Sequence, residues 1–394
     1  MLMERLYLLY ACIFLFSLLM GALLLPRIIH ISAKRGLADE PDHRKIHTQP
    51  IPRLGGISFL PIIMMSVLLF NILCVLWLKA RVTVGDTGQF LKVQTCTLGI
   101  FLLYLVGVAD DLVGANFKSK FAAQFAAACL FPLIGLRFHN VLGLLGLSGG
   151  HPFVDYAFTV FMVVYIVNAI NLIDGVDGLA SGICILTFSL YTLVFIYLHH
   201  PFLAALCLAA LGVLSIFFLF NVFGREGARL KKLFMGDTGS LTLGYLISFC
   251  IFSLTSHQNT RALEITGVMY MAFAPLVIPL LDIIRVVHAR YCDRVPLFQP
   301  DKRHIHHKLL RTGLPPRKTM VTLLLLTLYF ILINILLPWY LQVWWVVLCN
   351  LASWLLLHYV INHFIRRRLL NDPLQESRYA NPKNTIAPHK YFDL

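Results

Sequence analysis

The sequence predicts an all-α, polytopic transmembrane helical bundle of about eleven helices, and three observations carry that prediction. Of 394 residues, 58% are hydrophobic and 13% charged, and the mean hydropathy is +0.77, too apolar for a chain whose main solvent is water. Apolar windows of about 18–25 residues, the length that crosses a hydrocarbon core as a helix, recur from end to end. Basic residues gather in alternate connections between these windows, the pattern by which a membrane chain is oriented.

The first window, residues 6–29, is too long for a signal-peptide core and shows no small-residue cleavage site before Pro26 and Arg27, so it reads as a retained span. Windows at 55–78, 94–109 and 119–136 follow, then 153–170, 179–198 and 202–222, then 239–256, 266–287, 319–337 and 343–364. Together they form one membrane domain, 1–365, with a polar tail at 366–394; Arg366, Arg367 and Arg368 mark the membrane surface. Alternate connections on one side carry 27 of the 33 Lys and Arg residues. By the positive-inside rule that side is cytoplasmic, which places the N-terminus outside and the C-terminus inside.

The formal charge of +14 does not indicate nucleic acid, because the basic residues sit in short loops between apolar spans. It fits an anionic membrane surface or a phosphorylated substrate. The nine cysteines lack C-x-x-C spacing and mostly lie inside apolar segments, where a free thiol behaves as a small hydrophobe.

Polar motifs interrupt the apolar pattern at five connections, all on the basic side. His43, Arg44, Lys45, Ile46 and His47, continuing to Pro52, Arg53, Leu54, Gly55 and Gly56, follow the first span, and Asp110 and Asp111 follow the third. Asn168 through Asp177 (NAINLIDGVD) follow the fifth, Phe234 through Ser240 (FMGDTGS) the seventh, and His304, Ile305, His306 and His307 the ninth. Five loops on one face can build one site.

Asp110 and Asp111 stand at a helix C-terminus, where the macrodipole disfavours negative charge and adjacent carboxylates repel. A divalent metal, Lys118 or both would offset them; a solvated acidic turn before Gly114 is the plainer alternative. Asn171, Asp174 and Asp177 follow a helix end, and one aspartate could cap the next helix, though a cap does not account for all three. Asp237, Thr238 or Ser240 could cap the eighth span; the same helix start would offer free N–H groups to a phosphate, with Asp237 holding a metal against it. The histidines lack the partners of a tetrahedral zinc set, and with Arg290, Arg294, Lys302 and Arg303 nearby they suit an anionic ligand. Asp282 lies within an apolar run, where an ionisable group needs a partner, and Arg285 is three residues on.

Taken together, ADD, NAINLIDGVDGL, the lone Asn221, FMGDTGS and PDKRHIHH resemble, in order and spacing, the polyprenyl-phosphate N-acetylhexosamine-1-phosphate transferase superfamily, and HIHH is most similar to its UDP-N-acetylglucosamine branch, the WecA and TagO type. The match runs from about residue 36 to 315. Pro50 through Gly56 departs from the TPTMGG-like segment of the muramyl-pentapeptide branch and argues against that substrate. The resemblance implies a cytosol-facing site in the inner membrane, Mg²⁺ or Mn²⁺ as cofactor, a UDP-N-acetylhexosamine donor, undecaprenyl phosphate as acceptor and a homodimer. It implies that Asn171 and Asp237 approach the metal, that Asp110 and Asp111 serve the acceptor phosphate and that Lys118 neutralises phosphate. Asn221 is one of the matched positions and is counted, with Lys118, Arg290 and the histidines, among the ligand-binding residues; Asp174 and Asp177 shape the nucleotide and metal region, and Arg290, His304, His306 and His307 grip the sugar diphosphate. The implied reaction is direct displacement at the β-phosphorus, releasing UMP and starting a cell-envelope polysaccharide. From the residues alone the competing class is a cation or proton transporter, against which the acids cluster at one face; a scaffold for envelope assembly is a third reading.

Overall fold

The computed structural model describes residues 2–39, 51–78, 87–139, 141, 151–225, 231–255, 262–296 and 302–371. The His43 to His47 motif, Asp301 and the tail beyond residue 371 lie outside the described residues. Thirteen α-helices run through the described chain: α1 (Leu2–Arg35), α2 (Phe59–Leu73), α3 (Thr87–Val113), α4 (Phe117–Leu133), α5 (Pro152–Ile173), α6 (Leu179–Tyr197) and α7 (Pro201–Phe223), then α8 (Gly236–Thr255), α9 (Ala262–Phe273), α10 (Val277–Cys292), α11 (Ile305–Arg311), α12 (Pro316–Leu336) and α13 (Val343–Asn371). A two-residue antiparallel ladder pairs Ala38–Asp39 with Ile51–Pro52.

Among the described residues, all eleven apolar windows fall on helices, and ten helical stretches are long and apolar enough to cross a membrane. The eleventh window is α4, at 17 residues the short one; at about 1.5 Å per residue it reaches some 26 Å, just under a ~30 Å hydrocarbon core. Helix starts follow local chemistry. Proline occupies the first turn of α5, α7 and α12, where its missing N–H has no intrahelical partner to lose. Asn116 caps α4 by accepting from the Lys118 amide at 3.3 Å.

The chain divides into two units, residues 1–273 and 274–394. In the first, α8 is the central helix, its side chains buried almost throughout, with α3 and α5 against it. Small residues permit that approach: a Cβ on Gly107 of α3 would come within 2.5 Å of the Thr238 Cα on α8. Helix α1 packs along α7, and the Ser17 hydroxyl donates to the Ala209 carbonyl at 2.5 Å. In the second unit, α12 and α13 carry Asn334 and Asn350, whose amides exchange hydrogen bonds at 2.8 and 3.0 Å. The cysteines are unpaired, as their placement in apolar segments implies.

Candidate active site

The first unit brings four of the sequence motifs together at its helix ends. Residues Pro52 to Gly56 lie beside Phe234 and Met235: Phe234 N donates to Pro52 O at 2.8 Å, Gly55 N to Phe234 O at 3.0 Å and Gly56 N to Met235 O at 2.8 Å. This pairing sets the Arg53 carbonyl against Gly236, the first residue of α8. Gly236 has φ +71°, and a Cβ there would lie 2.3 Å from Arg53 O and 2.5 Å from the Asp111 carboxylate, so only glycine fits.

Asp111, at the end of α3, caps α8 from across the unit. One carboxylate oxygen accepts from Asp237 N at 2.8 Å; the other accepts from Thr238 N at 3.0 Å and the Thr238 hydroxyl at 2.6 Å. Helix starts leave such N–H groups unpaired, and a carboxylate is a strong partner for them. This corrects two expectations. The cap is not Asp237, Thr238 or Ser240, and the Asp237 and Thr238 amides are not free for a phosphate.

Asp110 instead faces Asp237. Lys120 Nζ donates to Asp110 Oδ2 at 3.1 Å and to Asp237 Oδ2 at 2.8 Å. The three side chains are only 12–24% exposed, so this ammonium is less screened than one in a surface pair. Asp110 Oδ1 also accepts from Ala115 N at 2.7 Å. Asn171 donates to Asp237 Oδ1 at 3.2 Å and to the Ser240 hydroxyl at 2.8 Å, tying the end of α5 to the start of α8.

The turn after α5 adds two carboxylates, neither of which caps α6: its cap residue is Gly178, without a side-chain bond. Asp177 pairs with Lys232 at 2.5 Å. Asp174 is exposed at this turn; the protein packed around it, ahead of repulsion from Asp237 and Asp177, raises its carboxyl to about 7, with Arg53 opposing. Asn221 is buried, its carbonyl accepting from Gly178 N at 2.5 Å and its amide donating to Leu233 O at 2.8 Å. Both ends brace loops.

Asp110, Asp111 and Asp237 each offer a carboxylate oxygen, all within 4.8 Å of one another. Hard divalent cations take such oxygens, and Mg²⁺ commonly uses one or two carboxylates, completing its shell with water and phosphate. Asp111 is committed to its cap, so Asp110 and Asp237, which already chelate one positive charge in Lys120, are the pair that fits a cation.

In the second unit, His304, the cap residue of α11, donates through Nδ1 to Asp282 Oδ2 at 2.9 Å. Arg285 pairs with Asp282 at 2.7 Å, as their spacing implies. The rings of His304 and His306 lie parallel at 5.8 Å, and those of His306 and His307 lie 4.3 Å apart. His306 is buried with Nδ1 unpartnered among the described residues; burial first, then His307 and His304, hold its basicity well below the usual imidazole range. Burial, then Arg285, brings the Lys308 ammonium down to about 8. Arg290 is buried at the end of α10.

Comparison with known proteins supplies the family. A family model for glycosyl transferase family 4 matches residues 93–257, which include Asp110, Lys120, Asn171 and Asp237. A Bacillus subtilis protein named as a probable undecaprenyl-phosphate N-acetylglucosaminyl 1-phosphate transferase is 30% identical over 327 residues, 80% of this chain and 82% of the relative. The chain belongs to glycosyl transferase family 4. Undecaprenyl-phosphate α-N-acetylglucosaminyl 1-phosphate transferases from Yersinia pestis (28% identity, 79% of each chain) and Escherichia coli O157:H7 (27%, 90% of this chain and 93% of the relative) are also similar.

Membership of glycosyl transferase family 4, in a chain with ten helical stretches apolar enough to cross a membrane among the described residues, favours an enzyme over the transporter and scaffold readings. Of its sequence-marked residues, the structure joins Asp110, Asp111, Asn171 and Asp237 directly by hydrogen bonds or through Lys120. Lys118 does not join them; its side chain is exposed. Lys120 takes that place in this glycosyl transferase, and sequence reasoning passed it over. Helical spacing holds the missing signal: Gln124, Ala127, Ala128 and Phe131 form the buried face of α4, and Lys120, not Lys118, lies four residues before Gln124.

Proposed function

We propose that the protein transfers N-acetylglucosamine 1-phosphate from UDP-N-acetylglucosamine to undecaprenyl phosphate, at the cytoplasmic side of a bacterial inner membrane. The observation that carries this reading is Lys120 held between Asp110 and Asp237 at converging helix ends, in a chain whose relatives are named for that reaction.

An oxygen of the lipid monophosphate attacks the β-phosphorus of the donor. The bond from that phosphorus to the bridging oxygen breaks, and UMP leaves with the oxygen. One phosphoanhydride replaces another, so the reaction is nearly balanced and catalysis rests on positioning and charge. Lys120 neutralises the incoming phosphate, and Asp110 orients it by fixing the Lys120 ammonium. A phosphate monoester with a second pKa of about 6 is largely ionised at neutral pH, so little base catalysis is required. Asp111 acts at one remove, holding the first turn of α8 and with it Asp237. Asp237 would hold the metal with Asp110 across from it and Asn171 bonded to it, and Asp174 and Asp177 line the nucleotide side, their loop braced by Asn221. Arg290, His304, His306 and His307 grip the donor diphosphate, His306 as a neutral ring. A bound Mg²⁺ or Mn²⁺ would supply charge neutralisation on the diphosphate and the leaving UMP.

The basic connections supply the orientation, with the N-terminus outside and the C-terminus cytoplasmic; two chains form a dimer, as the family resemblance implies. The test is UMP release by purified protein in detergent with undecaprenyl phosphate, Mg²⁺ and a panel of UDP-sugars. UMP forms only with lipid and metal, fastest with UDP-N-acetylglucosamine, and not with EDTA or Asp237→Ala. Equal rates with every donor, or release without lipid, would refute the assignment.

A further inference from the structure

Asp282 lies in α10 at 1% exposure, and its carboxylate organises the segment that carries the histidines. Oδ1 accepts from Arg285 Nη2 at 2.7 Å and Nε at 3.3 Å. Ile305 N is 3.0 Å from Oδ1 and 3.1 Å from Oδ2, and His304 Nδ1 is 2.9 Å from Oδ2. The same Arg285 Nη2 donates to the Arg303 carbonyl at 2.5 Å, while the Arg303 side chain pairs with Asp293 at 2.6 Å. Residues 303, 304 and 305 are thus each held by one carboxylate–guanidinium pair.

This arrangement does more than offset a charge within an apolar helix. Arg285 alone would serve that purpose, and any acceptor would cap a helix as short as α11. An ionised carboxylate only accepts hydrogen bonds, so the proton shared with it belongs to His304 Nδ1. That defines the ring's orientation and leaves Nε2 as its remaining polar atom, the way a carboxylate behind a functional histidine sets the tautomer and aims the far nitrogen.

We infer that Asp282 is a positioning residue for donor binding: by holding His304 through Nδ1 and the 303–305 backbone through Arg285 and Ile305, it presents His304 Nε2 to the sugar diphosphate. The inference rests on the reading that His304 grips the donor.

The test is a double-mutant cycle on the full chain in detergent, with Asp282→Asn, His304→Ala and the pair, measuring kcat and KM for UDP-N-acetylglucosamine and for undecaprenyl phosphate. Asp282→Asn raises the donor KM about 10- to 100-fold, the range for removing an orienting carboxylate, while kcat and the lipid KM stay within about threefold. In the His304→Ala background the same substitution adds nothing further. An unchanged donor KM, or a penalty that multiplies that of His304→Ala, overturns the inference while leaving the donor-grip reading intact. If His304→Ala itself leaves the donor KM unchanged, the donor-grip reading fails and the inference with it. Should Asp282→Asn not fold, Asp282→Glu replaces it in the cycle, keeping the charge while moving the oxygens off His304.

Discussion

Lys118 and Lys120 are two residues apart on α4 and face different surroundings, so they give a clean contrast. Lys120→Met removes the cation between Asp110 and Asp237, and UMP release should fall about 10²–10³-fold, the usual cost of losing one preorganised charge-stabilising group. Lys118→Met should change it less than about threefold, being exposed. Asp174 carries a pH signature. Its carboxyl is raised to about 7, above its ordinary value of 3.8, so its contribution to folding is complete below about 4 and is lost as pH rises through about 7. Thermal stability of the metal-free protein should therefore fall between about pH 4 and pH 7 relative to Asp174→Asn and level off above that, measured by unfolding in detergent. A difference that stays flat across that range would mean Asp174 is ionised throughout. The acids themselves were legible, because carboxylates between apolar spans are costly and need a reason. Which lysine meets them was not, because that depends on the face α4 turns inward.

The start of α8 is the element on which the site depends. Asp111→Ala removes its cap, worth about 0.5–2 kcal/mol at a helix N-terminus, and lets Asp237 drift. Gly236→Ala does more, since the new Cβ meets both Arg53 O and Asp111 under a positive φ. Unfolding temperatures in detergent should rank wild type above Asp111→Ala above Gly236→Ala, with activity lost in both variants; the opposite order would remove the geometric argument. Between α12 and α13, Asn334→Leu leaves Asn350 without its reciprocal amide. It should cost about 0.6–2 kcal/mol, the range for interhelical polar pairs in membranes, and the double Asn334→Leu, Asn350→Leu variant should recover part of that. Helix existence was readable from apolar run length, and α4 shows where that signal thins. The cap from Asp111 was not readable, since donor and acceptor are 126 residues apart in the chain and nothing local marks the pairing.

At the scale of the whole molecule, composition alone established a membrane protein, and the uneven distribution of Lys and Arg supplied an orientation. Cysteine labelling of intact cells tests it: in a background lacking the native cysteines, a membrane-impermeant maleimide should modify position 261 and not position 232. The reaction class was readable through the resemblance of the motifs, in order and spacing, to a known family; the polar connections by themselves left a transporter open. Division of labour within the acids needed the structure. The central claim is that phosphorus, not sugar alone, moves to the lipid, and the most direct measurement uses UDP-N-acetylglucosamine labelled with ³²P at the β-phosphate. The label should appear in the lipid product while UMP leaves unlabelled, and both should vanish in Asp237→Ala. Label departing as UDP, or a lipid product carrying sugar without it, would contradict the account.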